Sequence, residues 1–140
     1  MTVFNIVYMS FATQPMTDES LEEILTKSRS NNTRLGLTGM LLYRDRFFLQ
    51  ALEGDEPTVR KLYNKIKDDP RHKNIRIMHE GQISERAFSD WSMGFNRIDD
   101  ARMKKLGFTD FMAEKTTQNY FTEQPNRAMA LLESFRTLGQ

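Results

Sequence analysis

The stretch FFLQALEG, Phe47 to Gly54, constrains the fold more than any other part of the chain. Successive side chains of a strand point to opposite faces, so Phe48, Gln50 and Leu52 share one face and Phe47, Leu49 and Ala51 the other. Both faces are apolar except at Gln50, and both therefore call for cover. An unpartnered buried amide costs roughly 1–3 kcal/mol. Some other group is expected to hydrogen-bond the Gln50 side chain.

The neighbouring segments supply that cover. Thr2 to Met9 alternates Phe4, Ile6 and Tyr8 with Val3, Val7 and Met9, and reads as a first strand buried on both faces. Thr13 to Pro15 breaks it, and Thr17 or Asp18 caps a helix whose apolar stripe is Leu21, Ile24 and Leu25. Ser28, Asn31 and Asn32 continue that stripe. Leu37 to Tyr43 forms a second strand after Gly36, and the polar turn Arg44 to Arg46 returns the chain into Phe47–Glu53 as a hairpin. Gly54 and Asp55 open a second helix with Pro57 in its first turn and Val59, Leu62, Tyr63 and Ile66 as its buried stripe. Pro70 ends it. Asn74 to Met78 alternates as a fourth strand. Trp91 to Phe95 alternates as a fifth, with Trp91, Met93 and Phe95 on one face.

The order β-α-β-β-α-β-β is α+β: a ferredoxin-like β-α-β-β-α-β sandwich with an extra fifth strand and C-terminal helices. Two helices of similar pattern are expected on one sheet face. One folded domain is expected over 1–98, and a helical extension packed on the sheet over 99–140. That extension contains a short helix at Ala101 to Leu106 and a longer one after Pro125 with the stripe Ala128, Leu131, Leu132, Phe135 and Leu138.

Composition narrows the chemistry. Twenty Lys and Arg against 19 Asp and Glu give a net charge of +1, which offers no bias toward nucleic acid or acidic membranes. The absence of cysteine excludes disulfides, thiolate catalysis and thiolate zinc sites. The longest apolar run, Ala128 to Leu132, is far too short to span a bilayer. A soluble cytoplasmic protein is expected. His72 and His79 lack partners at metal-ligand spacing, and neither a phosphate loop nor a nucleophile elbow occurs.

What remains is a set of neutral polar groups on faces that should be apolar. Tyr8 follows Phe4 and Ile6; Gln50 lies between Phe48 and Leu52; Ser28, Asn31 and Asn32 follow Leu21, Ile24 and Leu25. If the first and third strands are neighbours, Tyr8 and Gln50 can face each other with the asparagines nearby. An uncharged hydrogen-bonding pocket in an apolar wall suits a flat heteroaromatic ligand. Taken singly, each group has an ordinary explanation: a core tyrosine with a satisfied hydroxyl, asparagines at a helix C-cap, a glutamine paired with backbone. Their convergence from three elements weakens that explanation.

The chain resembles the BLUF domains, blue-light receptors that use FAD, over about residues 3–98. The resemblance is carried by YMS (Tyr8 to Ser10), SRSNN (Ser28 to Asn32), GLTGMLLY (Gly36 to Tyr43), FFLQALEG, DDPRH (Asp68 to His72) and DWSM (Asp90 to Met93). It implies a flavin ring lying between the two helices, edge-on to the sheet. Asn32 would bond its polar edge with help from Asn31, Ile24 and Ile66 would sandwich it, and Ser28 would border it. Lys65, Asp69, Arg71 and His72 would lie toward the ribityl and phosphate end. Position 65 is often Arg in the family, and Lys keeps the charge without the fork. FMN or riboflavin could stand in for FAD.

The resemblance also implies a role for Gln50. Blue light would drive electron and proton transfer from Tyr8 to the flavin. The Gln50 amide, bridging Tyr8 and the flavin, would rotate or tautomerise, and Trp91 and Met93 would relay the change through the fifth strand. Two ordinary core residues is the other reading of Trp91 and Met93. No metal and no enzymatic activity are expected. Output would pass to an unidentified protein partner or through a homo-oligomer, a dimer or larger, without nucleic acid or membrane. The competing expectation is a light-independent ferredoxin-like module, RNA-binding or a small enzyme, that holds no flavin.

Overall fold

A computed structural model describes residues 3–44, 46–89 and 93–97, together with Ala130 and Leu132. The chain forms β1 (Val3–Ala12), α1 (Asp18–Leu35), β2 (Thr38–Arg44), β3 (Phe47–Gly54), α2 (Glu56–Lys67), β4 (His72–Ile83) and β5 (Gly94–Arg97). The sheet order is β4-β1-β3-β2-β5. The first four strands in this order pair antiparallel, whereas β5 lies parallel to β2 at the edge. This is the ferredoxin-like arrangement that the sequence leads one to expect.

Local chemistry explains the element ends. Thr17 caps α1 by accepting a hydrogen bond from the Ser20 backbone N–H at 3.1 Å. At the other end Gly36 takes the left-handed conformation, φ 72°. The Gly36 N–H then donates to the Thr33 carbonyl and the Leu37 N–H to the Asn32 carbonyl, a Schellman closure. Capping thus falls to Gly36, and the side chains of Asn31 and Asn32 stay within the helix's last turns. Pro57 occupies the first turn of α2, where a missing N–H costs nothing.

The alternation of β1 and β3 creates two cores. On the helix-covered face Phe4, Ile6, Tyr8, Phe48 and Leu52 pack with Leu21 and Leu25 of α1 and Val59 and Tyr63 of α2. On the other face Val7, Met9, Met40, Leu42, Leu49 and Ala51 form a second cluster with Phe88 and Leu132. Gly39 allows β2 to lie this close to β3, because a Cβ there would meet the Ala51 carbonyl oxygen at 2.1 Å.

Two strands differ from the sequence expectation. The fourth runs over His72–Ile83 rather than 74–78. It is an edge strand with one side in solvent, so Lys73, Glu80 and Gln82 interrupt the apolar alternation that marks the other strands. The fifth begins at Gly94, not Trp91. Met93 lies in a bend before it, its carbonyl held by the Arg29 Nε–H of α1 at 2.9 Å instead of by a strand ladder. Trp91 falls outside the described residues, as do the expected helices at 101–106 and after Pro125 apart from Ala130 and Leu132, both helical.

Candidate functional site

Strand register brings the two anomalous polar residues together. Tyr8 of β1 and Gln50 of β3 are direct cross-strand partners, both buried on the helix-covered face. The Tyr8 hydroxyl donates to Gln50 Oε1. The other end of the same amide, Nε2, donates to the Met93 sulfur at 3.5 Å. Gln50 therefore spans from β1 to the residue that enters β5, with a donor and an acceptor both engaged. The Tyr8 ring meets Tyr63 of α2 edge to face, centroids 5.3 Å apart. Burial pushes the Tyr8 phenol far above its ordinary range, and Tyr63 adds to the shift. At neutral pH the phenol keeps its proton and acts as a donor.

This trio forms the floor of a cleft of about 550 Å³ between α1 and α2, a volume within the usual ligand-pocket range of roughly 300–1,000 Å³. Its α1 wall carries Ile24, Ser28, Asn31 and Asn32, and its α2 wall carries Lys65 and Ile66. Asp69, Arg71 and His72 close one end. Every cofactor-contact residue expected from the sequence lines this one cleft. Asn32 is buried, and Asn31 is half-buried with Oδ1 accepting from Arg34 at 3.5 Å.

The charged end is internally organised. The Arg71 guanidinium grips both Asp69 oxygens, the shortest contact being 2.6 Å, and holds the carboxyl down to about 2. His72 lies under Ser10, with Nδ1 3.1 Å from the Ser10 hydroxyl, and its ring meets Phe48 edge to face. Burial lowers the imidazole's proton affinity more than the nearby Asp69 charge raises it.

The cleft also contains residues that sequence reasoning missed: Glu23 and Lys27 on the α1 rim, Leu62 on α2, and Leu41, Phe48 and Leu52 on the floor. Helical spacing was the available signal for the helix residues, since Lys27 lies one turn beyond Ile24 and Leu62 one turn before Ile66. Ser10 and Arg29 had no such signal. Ser10 depends on a break in the β1–β4 register between Met9 and Phe11, and Arg29 on the path of the chain into β5.

A layered sheet with two helices framing a cleft that is amide-lined at its floor and α1 wall and charged at one end is the build of a heteroaromatic-cofactor receptor domain. The chain belongs to the BLUF family, described as sensors of blue light using FAD, whose model matches residues 3–94. It is a blue-light-sensing flavoprotein domain with FAD as cofactor. Over 93 residues it is 38% identical to photoactivated adenylate cyclase subunit beta of Euglena longa, covering 66% of this chain and 11% of that protein. The chain thus spans only about a tenth of the cyclase subunits it matches. The fold superposes on the dark state of the BLUF protein BlrB with a TM-score of 0.77 at 26% identity, covering 96% of both chains. It superposes on the photo-activated state of BlsA with a TM-score of 0.69 at 28% identity, covering 89% of this chain and 95% of that one. Among the described residues no helix is long and apolar enough to cross a membrane.

Proposed function

We propose that the chain converts blue light into a change of hydrogen-bond partners at the Gln50 amide. The observation that carries this reading is the Tyr8–Gln50–Met93 chain on the cleft floor. The donor set of the cleft fits the neutral, amide-edged ring of a flavin. Asn31, Asn32 and Gln50 offer amides at both polarities, Ile24 and Ile66 offer flat apolar walls, and Lys65, Arg71 and His72 suit a phosphorylated tail. When bound, the flavin supplies blue-light absorption and a site that accepts an electron.

Tyr8 would then give up an electron and, because burial keeps its phenol from ionising alone, the hydroxyl proton would leave with it, both passing to the bound flavin. Loss of that proton removes the donor that holds Gln50 Oε1. The amide is then able to turn and present Nε2 to the Tyr8 oxygen. A turned amide no longer donates to the Met93 sulfur, and a thioether has no hydrogen to offer Oε1 in return. Met93, and through it β5, is thereby released from its dark-state partner. Electron and proton return to Tyr8 in the dark, so no substrate is consumed and the domain acts as a sensor rather than an enzyme.

Residues 99–140 serve in this reading as the output extension, covering the sheet face opposite the helices. Burial of Leu132 in the Val7–Leu49–Phe88 cluster supports that placement. The signal passes to a protein partner or a second copy of the chain in the cytoplasm, with neither nucleic acid nor lipid involved. The test is spectroscopic. Purified protein is expected to carry about one flavin per chain and to shift its visible band reversibly to the red under blue light. A flavin-loaded sample with no reversible change refutes the reading.

A further inference from the structure

Glu53 is a fully buried acid that the photochemical reading does not use. It lies on β3 three residues after Gln50, on the face away from the helices. Its carboxylate takes three hydrogen bonds. Oε2 accepts from the Ala87 N–H at 2.7 Å, and Oε1 accepts from the Phe88 N–H and the Thr38 hydroxyl, each at 3.0 Å. Arg86 closes the arrangement from outside, donating to the Thr38 hydroxyl and the Gly36 carbonyl at 2.9 Å each and to the Glu53 carbonyl at 3.4 Å. Backbone N–H groups that find a charged side-chain acceptor are held more strongly than those paired neutrally. The start of the connection from β4 to β5 is thus pinned to β3 and β2 by a side chain, not by a ladder.

The other end of that connection is also tied to β3. Met93, five positions after Phe88, accepts the Gln50 amide through its sulfur. Five residues reach at most about 18 Å, so the anchored Phe88 limits where Met93 can be. One strand, β3, therefore grips both ends: Gln50 on the cleft face and Glu53 on the opposite face. Phe88 itself is buried in the same cluster as Leu132.

Building on the reading of Gln50 and Met93 above, we propose that Glu53 is a positioning residue for the photoresponse. Its carboxylate fixes Ala87 and Phe88 so that Met93 is presented to the Gln50 amide, and a change at Met93 reaches the Leu132 side of the sheet as strain on this anchor. Glu53 touches neither cofactor nor reacting atoms. Its effect is exerted through Met93.

The test is the dark-recovery rate of the light-shifted band in four full-length proteins: wild type, Glu53→Gln, Met93→Ala and the double variant. Glu53→Gln keeps the shape and replaces one acceptor by a donor facing an N–H. Flavin content should stay at the wild-type level, while recovery accelerates by about three- to tenfold, the kinetic equivalent of one lost buried hydrogen bond. In the Met93→Ala background the same substitution should leave the rate within about twofold, since coupled sites are non-additive. A structural role alone predicts the same factor in both backgrounds, or a lower melting temperature with an unchanged rate. Either result, or a slower recovery, overturns the proposal. If Glu53→Gln yields no folded protein, Arg86→Met removes the outer half of the anchor and should show the same Met93-dependent acceleration, smaller in size; its absence is equally decisive. A wild-type protein without any reversible shift sinks the Gln50 reading itself, which is a separate and visible failure.

Discussion

The two faces of the same pair of strands are built to opposite rules. Away from the helices, Val7 and Met9 of β1 meet Leu49 and Ala51 of β3 in a tight hydrocarbon layer. Toward the helices, the residues between them, Tyr8 and Gln50, place a phenol and an amide in an otherwise apolar wall below an open cleft. A packed apolar layer has one good arrangement, because a shift of a methyl group forfeits contacts on every side. An amide between two partners has two arrangements of nearly equal shape, because its ends differ in polarity and hardly at all in size. In the proposed function one face supplies stability and the other a switch, and the alternation of a β-strand allows adjacent residues to do both.

The sharpest way to break this contrast is to exchange roles at adjacent positions. Gln50→Leu is expected to retain flavin and lose the red shift completely. Tyr8→Phe should do the same, since it removes both the Gln50 donor and the proton. Normal photocycling by either, read from light-minus-dark absorption, would erase the distinction between the faces. One residue away, Leu49→Ala should cost about 2–5 kcal/mol of stability by leaving a cavity in the dry layer. Chemical denaturation measures that loss, and the amplitude of the red shift in the folded fraction should be unchanged.

Smaller effects sharpen the account of the cleft. Asn32→Ala removes a buried polar side chain from the α1 wall. It is expected to weaken flavin binding by about 1–3 kcal/mol, measurable as lower occupancy after dialysis, and full retention would remove Asn32 from the binding set. The smallest effect concerns pH. Burial depresses His72 below its ordinary value of 6.5, so the unfolded chain binds the proton more readily than the fold does. The resulting stability is present above 6.5 and is lost as pH falls from there through the folded value. Asp69, held down to about 2 by Arg71 from an ordinary 3.8, loses its contribution only in a lower window, as pH falls from about 4 through about 2. Melting temperature against pH should decline first below 6.5, and His72→Gln should flatten that first decline while leaving the second.

Much of this architecture was legible from the sequence, and the reason is physical. Strands apolar on both faces admit few neighbours, so the alternation in Phe47–Gly54 and Val3–Met9 allowed Tyr8 and Gln50 to face each other once the ferredoxin-like order was adopted, and the strand register makes them direct partners. Helical spacing likewise placed Ile24, Ser28, Asn31 and Asn32 on one wall. What escaped, the place of Met93 before its strand and the roles of Ser10 and Glu53, depends on tertiary features. Met93 read as mid-strand because Trp91, Met93 and Phe95 alternate, whereas Arg29 takes its carbonyl and the strand begins at Gly94. Ser10 meets His72 only because β1 and β4 slip register beside it. Glu53 looked like the end of a strand, and its partners Ala87 and Phe88 lie 34 and 35 residues away.

The most direct test of the switch is a light-minus-dark vibrational difference spectrum of protein labelled with 15N at the glutamine side-chain amide, recorded for wild type and Gln50→Leu. If the Gln50 amide changes partners, the wild-type spectrum contains amide bands that move on labelling, and these bands vanish in Gln50→Leu although the other glutamines remain. A wild-type difference spectrum that shows the flavin response with no label-sensitive band, or with one that survives in Gln50→Leu, contradicts the account.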